Sequence, residues 1–596
     1  MTVYNAPLKD LQFIYKEMGI LEQLQGLPGC EEVTADLLDA VLDEASKLAT
    51  DVIAPTNGPG DRQGAQWDNG VVRVPDGFEE AYKAYVEGGW NSVPFEPDYG
   101  GQGLPWALSS SIQEMWQSAN LAWALCPLLN QGAVEAITAH ASDDLKAQYL
   151  EKMISGEWSG TMNLTEPQAG SDLSLVKSRA ERDGDHYRIK GQKIFITYGE
   201  HEMTGNIIHL VLARLPDAPE GVKGISLFLV PKFLLNNDGT PGERNDLRCV
   251  SIEHKLGIHG SPTCVMSYGD NEGAIGYLVG EENKGLACMF TMMNNARLAV
   301  GQQGLSVAER AYQQAADFAR ERRQGRGHDP KAGAAPIIEH ADVRRMLMTM
   351  RAYTEAMRAV ITDTMCLMDI SKRHGEESWY AWATRRVGLM TPVIKGWFTD
   401  LAVELTSMGV QVHGGMGFIE ETGAAQHFRD SRILPIYEGT NGIQAMDLVG
   451  RKIMFDDGKA LDEYLDEAHS FINRLNGLSN DDIAVIRKYL AAGIDTLEQA
   501  GDWLLEEGKK DPDAAGGAAA YLLRLFGTVA GGIMLAKAAV VACAKLESGE
   551  GDQKFYAAKL ATARFYAENV LSQAPALLIP ITEGHKTLAA IDEEIL

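Results

Sequence analysis

The stretch Leu164-Thr-Glu-Pro-Gln-Ala-Gly-Ser-Asp172 stands where the sequence changes from helical to β patterning. Thr165 and Ser171 supply hydroxyl groups, and Gly170 lets the backbone approach a ligand closely. Exposed N–H groups in such a loop can bind a phosphate or the polar edge of a ring. The alternative is a plain turn that Asp172 caps, and the chemistry of the stretch leaves both interpretations open.

The chain on either side of this stretch divides by its hydrophobic periodicity. Between about 156 and 279, short alternating or β-branched runs are separated by turn residues, which predicts a β domain. The clearest runs are 186–190, 192–197, 206–213 and 224–231. Apolar residues have helical spacing before 154 and again after 285, with polar breaks at 476–482 and 507–517. The predicted order is helices, a β domain, helices, and further helices.

Length and charge limit the functional classes. The chain has 596 residues, enough for several domains, and its 45% hydrophobic content is typical of a globular protein with a large core. Its net charge is −28, from 54 basic and 82 acidic residues. Such a surface repels phosphate backbones and anionic lipids, so we expect no nucleic-acid or membrane partner. A local cationic cluster would still bind a small anion.

Cysteine usage and the terminal segments indicate a cytoplasmic protein. The seven cysteines are scattered and contain no CxxC pair, which argues against a disulfide framework and against a structural metal site. The first residues lack the basic and apolar regions of a signal peptide. The most membrane-like segment, 527–546, carries Lys537 in its middle and is rich in Gly and Ala. We therefore predict a close-packed helix there rather than a membrane span.

The second candidate site segment is Ile433-Leu-Pro-Ile-Tyr-Glu-Gly-Thr-Asn441. Glu438 follows an apolar run and precedes Gly439, so we expect it at a turn. Apolar surroundings raise the pKa of a carboxyl group toward the range that suits proton abstraction. The alternative is a helix cap or an ordinary loop residue.

A third segment, Gln411-Val-His-Gly-Gly-Met-Gly-Phe418, contains three glycines within four residues. It is not a GxGxxG motif, and no strand–turn–helix context supports a Rossmann interpretation. Either the backbone approaches a phosphate here or the glycines simply end a helix. His413 is assigned no catalytic role.

Taken together, these segments resemble the acyl-CoA dehydrogenase family over roughly 35–455. The motifs that carry the resemblance are Thr165-Glu-Pro-x-Ala-Gly-Ser-Asp172, Lys193-Ile-Phe-Ile-Thr197, Lys255-Leu-Gly-Ile258, Gln411-x-His-Gly-Gly415 and Tyr437-Glu-Gly-Thr440. The resemblance implies the α+β acyl-CoA dehydrogenase fold with an extra C-terminal helical domain. The implied domains are an N-terminal α domain (1–155), a central β domain (156–285), a four-helix domain carrying the catalytic Glu (286–455) and a helical extension (456–596).

The resemblance also implies a reaction, the FAD-dependent dehydrogenation of an acyl-CoA to a trans-2-enoyl-CoA. Glu438 is then the base that removes the pro-R α-proton, while the β-hydride passes to N5 of FAD. The main-chain N–H of Glu438 and a ribityl hydroxyl would stabilise the enolate oxygen. Gly439 and Arg297 are the implied substrate-binding residues, Arg297 near the CoA entrance. Some family members carry the base just before this arginine, but here that position is Ala296, which cannot accept a proton.

The cofactor contacts implied by the family fall into two groups. Those expected from the same subunit are Thr165, Ser171, Phe195, Thr197 and Thr440. Those expected from a neighbouring subunit are Arg322, Gln411, Gly414 and Gly415. A shared cofactor implies a homo-oligomer, and the extension favours a dimer. Without the resemblance, Arg297 and Arg322 would be interpreted as surface salt-bridge residues.

The extension and the start of the chain resemble a bacterial branch that includes 3-methylmercaptopropionyl-CoA and fatty acyl-CoA dehydrogenases. The expected electron acceptor is an electron-transferring flavoprotein. Three alternatives stay open at this point. They are an oxidase of the same fold that uses oxygen, a non-enzymatic DNA-binding member, and a scaffold that has lost catalysis. The high negative charge opposes the second, and the presence of Glu438 opposes the third.

Overall fold

The structure, a computed structural model, describes residues 3–327 and 333–595 as a mixture of helices and one large sheet. The α-helices are α1 Leu8–Lys16, α2 Ile20–Gln25, α3 Ala35–Lys47, α4 Ala54–Gln63, α5 Phe78–Glu87, α6 Trp106–Ala119, α7 Leu121–His140, α8 Asp143–Ser155, α9 Gly285–Glu321, α10 Ala341–Arg373, α11 Glu377–His413, α12 Ala424–Ser431, α13 Asn441–Met446, α14 Lys459–Leu475, α15 Asp481–Trp503, α16 Pro512–Ser548, α17 Gln553–Asn569, α18 Leu578–Thr582 and α19 Gly584–Ala590. Helical turns of π type occupy Leu48–Ile53, Asp447–Met454 and Leu504–Gly508.

The strands confirm the predicted β region. They are β1 Gln66–Asp68, β2 Val71–Arg73, β3 Trp158–Asn163, β4 Arg179–Asp183, β5 His186–Thr197, β6 Asn206–Arg214, β7 Ile225–Pro231, β8 Phe233–Leu235, β9 Pro241–Arg244, β10 Leu247–Ile252, β11 Thr263–Tyr268, β12 Ala274–Val279, β13 Arg323–Arg326 and β14 Ala334–Pro336. The short pairs β1–β2 and β13–β14 lie outside that region and were not predicted, because three or four residues give too short a periodic signal.

The chain forms two compact units. One comprises Glu44–Leu104 and Met115–Ala299; the other comprises the residues up to Asp43, Pro105–Glu114 and the chain from Val300 onward. We call them the sheet unit and the helical unit.

The sheet unit is built on an eight-stranded sheet in which β10, β11, β5, β12, β7, β6 and β3 are neighbours in that order. The strand β4 pairs with β5, and the β3–β6 pair is parallel in an otherwise largely antiparallel arrangement. Every residue of β7 is buried, which explains why its sequence is apolar at every position except Ser226 and does not alternate. The core beneath the sheet includes Ile189, Val211, Phe228 and Met266.

The helical unit is organised around three long helices, α10, α11 and α16, which pack on one another. The helix α16 is long and apolar enough to cross a membrane, and 83% of its most apolar window is buried inside the structure. Its glycines explain the close packing, because a Cβ at Gly527 would lie 2.3 Å from the indole of Trp397. The prediction of a close-packed helix is thus confirmed.

One predicted boundary in the helical unit is wrong. The break expected at 507–517 is shorter, because α16 already begins at Pro512. Asp511 caps it by accepting hydrogen bonds from the N–H groups of Asp513 and Ala514, at 3.0 and 3.3 Å. Proline at the first helical position is compatible with a helix start, so the Gly- and Ala-rich residues that follow are helical.

A buried ionic network connects helices from both ends of the chain within the helical unit. The guanidinium of Arg358 on α10 contacts Asp10, Glu114 and Glu309, at 3.1, 2.8 and 2.8 Å. The ammonium of Lys559 on α17 lies 2.7 Å from Asp10 and 3.1 Å from Glu355. Charges this deeply buried require partners. The network therefore fixes α1 and the extension helix α17 against α10.

The seven cysteines are all free and buried. Burial raises the pKa of several of them, including Cys126 and Cys366, so these thiols stay protonated and resist oxidation. This agrees with the expectation that the chain has no disulfide framework.

Candidate active site

Glu438 lies in a turn, as predicted, and its backbone is strained. Its φ is +57°, in the left-handed region that side chains with a Cβ rarely adopt, and Gly439 continues with φ +84°. Glu438 is half-buried. Two residues further on, the hydroxyl of Thr440 caps α13 by accepting a hydrogen bond from the N–H of Ile443 at 3.4 Å. Such strain persists only where the surroundings fix the conformation, and it is frequent at active sites.

Two polar residues just after Glu438 hold the turn. The side-chain amide of Gln444 donates to the carbonyl oxygens of Glu438 and Gly439, at 3.1 and 3.2 Å. Asn441 donates to the carbonyl of Gly396 on α11 at 3.0 Å and accepts from Lys395 at 2.8 Å. Sequence reasoning missed both residues. The available signal was a pair of amide side chains three residues apart at the start of a helix, which places them on one face.

Tyr437, which precedes Glu438, donates a hydrogen bond to Oε1 of Gln303 on α9. Burial, together with the nearby charge of Glu438, raises the pKa of the Tyr437 phenol well above 10. The phenol therefore keeps its proton and acts in this turn as a hydrogen-bond donor.

In the sheet unit, Phe195 lies at an irregularity of β5. Ile196 pairs with Cys264 and Lys193 pairs with Met266, so β5 has one residue more than β11 between these pairs. Such a bulge redirects a side chain. Phe195 has φ +60° and its ring is 59% exposed, which is unusual for a phenylalanine inside a strand. The neighbouring Thr197 is half-buried and in register with Thr263.

A buried ion pair joins β5 to the loop that contains Thr165. The ammonium of Lys193, which is completely buried, donates to Oε1 of Glu166 at 2.8 Å and to the carbonyl of Leu164 at 3.0 Å. The Glu166 carboxylate also accepts from the N–H of Lys177 and from the hydroxyl of Ser178, at 2.7 and 2.6 Å. Sequence reasoning quoted both ion-pair residues within motifs but gave them no role.

The ionisation of Glu166 follows from these contacts. Desolvation alone would raise its pKa, but the charge of Lys193 and the hydrogen bonds outweigh this effect and lower the pKa to about 2. The carboxylate is therefore fully ionised at neutral pH, and it accepts five hydrogen bonds, two from Ser178 and one each from Gln168, Lys177 and Lys193.

The structure confirms the capped turn that was one of the two interpretations of this loop. The N–H of Ile194 donates to the carbonyl of Thr165 at 2.9 Å, which links the loop to the residue before Phe195. Asp172 caps the short helix Leu173–Leu175 by accepting from the N–H of Ser174 at 2.9 Å. Ser171 is exposed, and a Cβ at Gly170 would meet no atom within 4 Å. The capped turn therefore presents an open, polar surface.

The glycine-rich segment after α11 is likewise open. Gln411 is exposed, Gly414 has φ +60°, and a Cβ on Gly414 or Gly415 would meet no atom within 4 Å. His413 points into the core, where its Nδ1 lies 2.7 Å from the carbonyl of Gly409 and its ring stacks on Phe318. Burial lowers the pKa of His413, so the ring is neutral and structural.

The two candidate arginines differ in environment. Arg297 is only 4% exposed, so its interpretation as a surface salt-bridge residue is wrong. Arg322 is exposed at the end of α9, and it makes no side-chain ion pair with any residue in 3–327 or 333–595. An exposed guanidinium beyond a helix end is available to an anion.

The chain matches known protein families in four consecutive segments. Residues 37–157 match the acyl-CoA dehydrogenase N-terminal domain, 161–270 its middle domain and 283–454 its C-terminal domain. Residues 464–592 match the domain described as acetyl-CoA dehydrogenase C-terminal like.

Individual relatives and structures agree with these matches. The chain is 46% identical over 593 residues to the 3-methylmercaptopropionyl-CoA dehydrogenase of Ruegeria pomeroyi, covering 98% of this chain and 99% of the relative. It is 35% identical to a butyryl-CoA dehydrogenase of Syntrophomonas wolfei, covering 95% of each. A crystal structure of a Bacillus anthracis acyl-CoA dehydrogenase complexed with FAD superposes with a TM-score of 0.73 at 21% identity, covering 98% of this chain and 93% of that one.

Proposed function

Because the chain belongs to the acyl-CoA dehydrogenase family, and so is an oxidoreductase that acts on the CH–CH bond of acyl-CoA thioesters, we propose that it converts 3-methylmercaptopropionyl-CoA or a similar short acyl-CoA to the trans-2-enoyl-CoA with Glu438 as base. The observation that carries the proposal is the left-handed turn at Glu438, held through Gln444.

The chemistry assigned to Glu438 is proton removal. Its carboxylate oxygen accepts the proton from Cα of the thioester, and the electron pair of the broken C–H bond is delocalised onto the carbonyl oxygen, so stabilising the charge there increases the acidity of Cα. A main-chain N–H at Glu438 stabilises that charge, since a preorganised backbone donor costs no reorganisation during the reaction. The hydrogen bonds from Gln444 and Asn441 restrict the turn to one conformation and so keep the carboxylate in place.

The residues present fit a flavin cofactor. The exposed ring of Phe195 offers an aromatic face, and the hydroxyls of Thr165 and Thr197 offer hydrogen bonds to a polar ring edge. The open backbone at Gly170 and the exposed Ser171 suit a phosphate group. FAD, when bound, supplies the acceptor for the electron pair and hydrogen that leave Cβ. In this proposal Thr440 also contacts the cofactor.

Further cofactor contacts are proposed to come from a second copy of the chain. The exposed guanidinium of Arg322 suits a phosphate, and the open backbone at Gly414 and Gly415, next to Gln411, allows close approach of a ligand. A cofactor held in this way requires a homo-oligomer, and we propose a dimer. Arg297 and Gly439 are assigned to the acyl-CoA. An electron-transferring flavoprotein is the proposed acceptor, and the cytoplasm is the proposed location.

An anaerobic titration of the purified protein with a panel of acyl-CoAs tests the proposal. The panel contains 3-methylmercaptopropionyl-, butanoyl-, octanoyl- and palmitoyl-CoA, and bleaching of the flavin absorbance is the readout. We expect the fastest bleaching with 3-methylmercaptopropionyl-CoA or butanoyl-CoA, which have acyl chains of similar size. Fastest bleaching by palmitoyl-CoA would refute the short-chain assignment, and oxygen consumption at the rate of turnover would refute the acceptor.

The Glu438→Gln variant tests the base. An amide cannot accept the proton, so we expect the rate of flavin bleaching to fall by at least about 10³-fold while the flavin stays bound. Glu506→Gln, at an exposed position of the extension, is the matched control and should bleach at the wild-type rate. Substantial bleaching by Glu438→Gln would show that another group removes the proton.

A further inference from the structure

A cavity of about 390 Å³ lies in the helical unit, where the extension helices α14 and α16 pack on α10 and α11. None of its lining residues belongs to the candidate active site. Its apolar wall includes Leu367, Met390, Ile533 and Met534. A volume of this order is typical of small-molecule sites, which are mostly apolar and carry a few polar groups that fix the ligand.

The charged residues of the cavity are balanced, because its lining contains three cationic and three anionic side chains. Arg386 and Glu467 satisfy each other through two hydrogen bonds of 2.8 and 3.1 Å, and the guanidinium of Arg386 also lies over the ring of Tyr464. Arg474 donates to the hydroxyl of Ser470 at 3.1 Å. The remaining three charges are Lys537, Asp363 and the exposed Asp466.

Lys537 and Asp363 distinguish this cavity from an ordinary crevice. Both are half-buried, and within the described parts of the chain neither side chain forms a hydrogen bond or an ion pair, even with the other. Lys537 is also the residue that interrupts the apolar sequence of α16. A partly buried charge without a partner is costly, so an opposite charge in the cavity would bind both groups favourably.

We propose that this cavity binds a small zwitterion with an apolar body, whose carboxylate meets Lys537 and whose ammonium or other cationic group meets Asp363. The apolar wall contacts the body of the ligand. A ligand with only a negative charge would be attracted by Lys537 but repelled by Asp363. A ligand with only a positive charge would be attracted by Asp363 but repelled by Lys537. Only a ligand with both charges satisfies both groups, which explains why two opposite charges share a cavity without pairing.

The experiment is isothermal titration calorimetry of the full-length protein with bound cofactor. The probes are two zwitterions that differ in charge separation, L-phenylalanine and 6-aminohexanoate. Their single-charge analogues are 3-phenylpropanoate, 2-phenylethylamine, hexanoate and hexylamine. We expect one zwitterion to bind with one site per chain, and both of its analogues to bind at least about tenfold more weakly, because each lacks one charge-assisted contact.

Variants assign the binding to this cavity. We expect Lys537→Met and Asp363→Asn each to weaken binding of the zwitterion at least about tenfold, because each keeps the shape of the side chain and removes its charge. Lys545→Met, on the same helix but outside the cavity, is the control and should bind as the wild type does.

Three results would overturn the proposal. The first is that neither zwitterion binds at millimolar concentration. The second is that an analogue with one charge binds as tightly as its zwitterion. The third is that binding survives both Lys537→Met and Asp363→Asn unchanged. Because the readout is binding and not turnover, the outcome is independent of the proposed reaction.

Discussion

Replacing Lys193 by methionine should destabilise the sheet unit, because it leaves the Glu166 carboxylate buried without its cation. Glu166 is 4% exposed, and its contacts lower its pKa from the ordinary 4.5 to about 2. The charge of Lys193 is the largest favourable cause of this shift, while burial lowers the pKa of Lys193 itself to about 8, so the cost of the substitution is set by the pair as a whole. Removing one partner of a buried ion pair typically costs about 3–5 kcal/mol. For a domain of this size, about 3 kcal/mol lowers the melting temperature by about 6–12 °C.

The measurement is thermal unfolding followed by circular dichroism, on Lys193→Met and on the double variant with Glu166→Gln. The double variant removes both charges and leaves no unpaired ion. We therefore expect its loss of melting temperature to be smaller than the sum of the losses in the two single variants. Lys190→Met, exposed on the same strand, is the control and should melt within about 2 °C of wild type. The assigned role of the pair would be refuted if Lys193→Met melted at the same temperature as the control. It would also be refuted if the changes in melting temperature of the two single variants added up to that of the double variant.

The pH dependence of this loss has a definite sign. The pKa of Glu166 is lower in the folded state than in the unfolded state. The ionised carboxylate therefore contributes fully to the free energy of unfolding above about pH 5, and this contribution is lost as the pH falls from about 4.5 toward 2. The gap in melting temperature between wild type and Lys193→Met should therefore be full at pH 6 and smaller at pH 3. A gap that widens on acidification would contradict the assignment.

Two further variants test the anchors in the helical unit. Gln444→Ala should lower kcat by about 10²-fold with unchanged flavin content, because it frees the carbonyl groups of the turn at Glu438 and displaces the proposed base. Turnover within threefold of wild type would contradict this prediction. Lys559→Met should lower the free energy of unfolding by about 3–5 kcal/mol, because Asp10 and Glu355 lose a shared cation. Thermal unfolding measures this loss, with the exposed Lys554→Met as the control. Equal melting temperatures of the two variants would argue against the network.

The layout of the fold could be predicted from the sequence because it depends on periodicity. Alternating and β-branched runs locate the sheet. The apolar helix α16, which Lys537 interrupts, was correctly predicted to be closely packed. The turn at Glu438 could also be predicted, since Glu438 follows an apolar run and precedes a glycine. The register irregularity at Phe195 could not, because a bulge depends on which residues of β11 pair with β5, and that pairing is a tertiary property.

The polar anchors could not be predicted for a related reason. Glu166 and Lys193 are 27 residues apart in sequence, and Gln303 and Tyr437 are 134 apart. A glutamate beside a proline and a lysine in a strand are each ordinary surface residues when considered alone. Only the three-dimensional contact makes them a buried pair, so their role has no local sequence signal beyond their presence in a motif.

Two of the residues with positive φ, Glu438 and Phe195, are candidate site residues that lie beside polar anchors. Positive φ costs about 1–3 kcal/mol at each of these two positions, and each has a buried polar side chain within a few residues in sequence. Gln444 binds the carbonyl of Glu438 itself, whereas Lys193 and Glu166 fix the strand and loop beside Phe195. Relaxed φ values at these positions would point both side chains elsewhere. Loss of an anchor should therefore displace a functional side chain before it unfolds the domain, so a partial loss of activity in a folded protein is the expected signature.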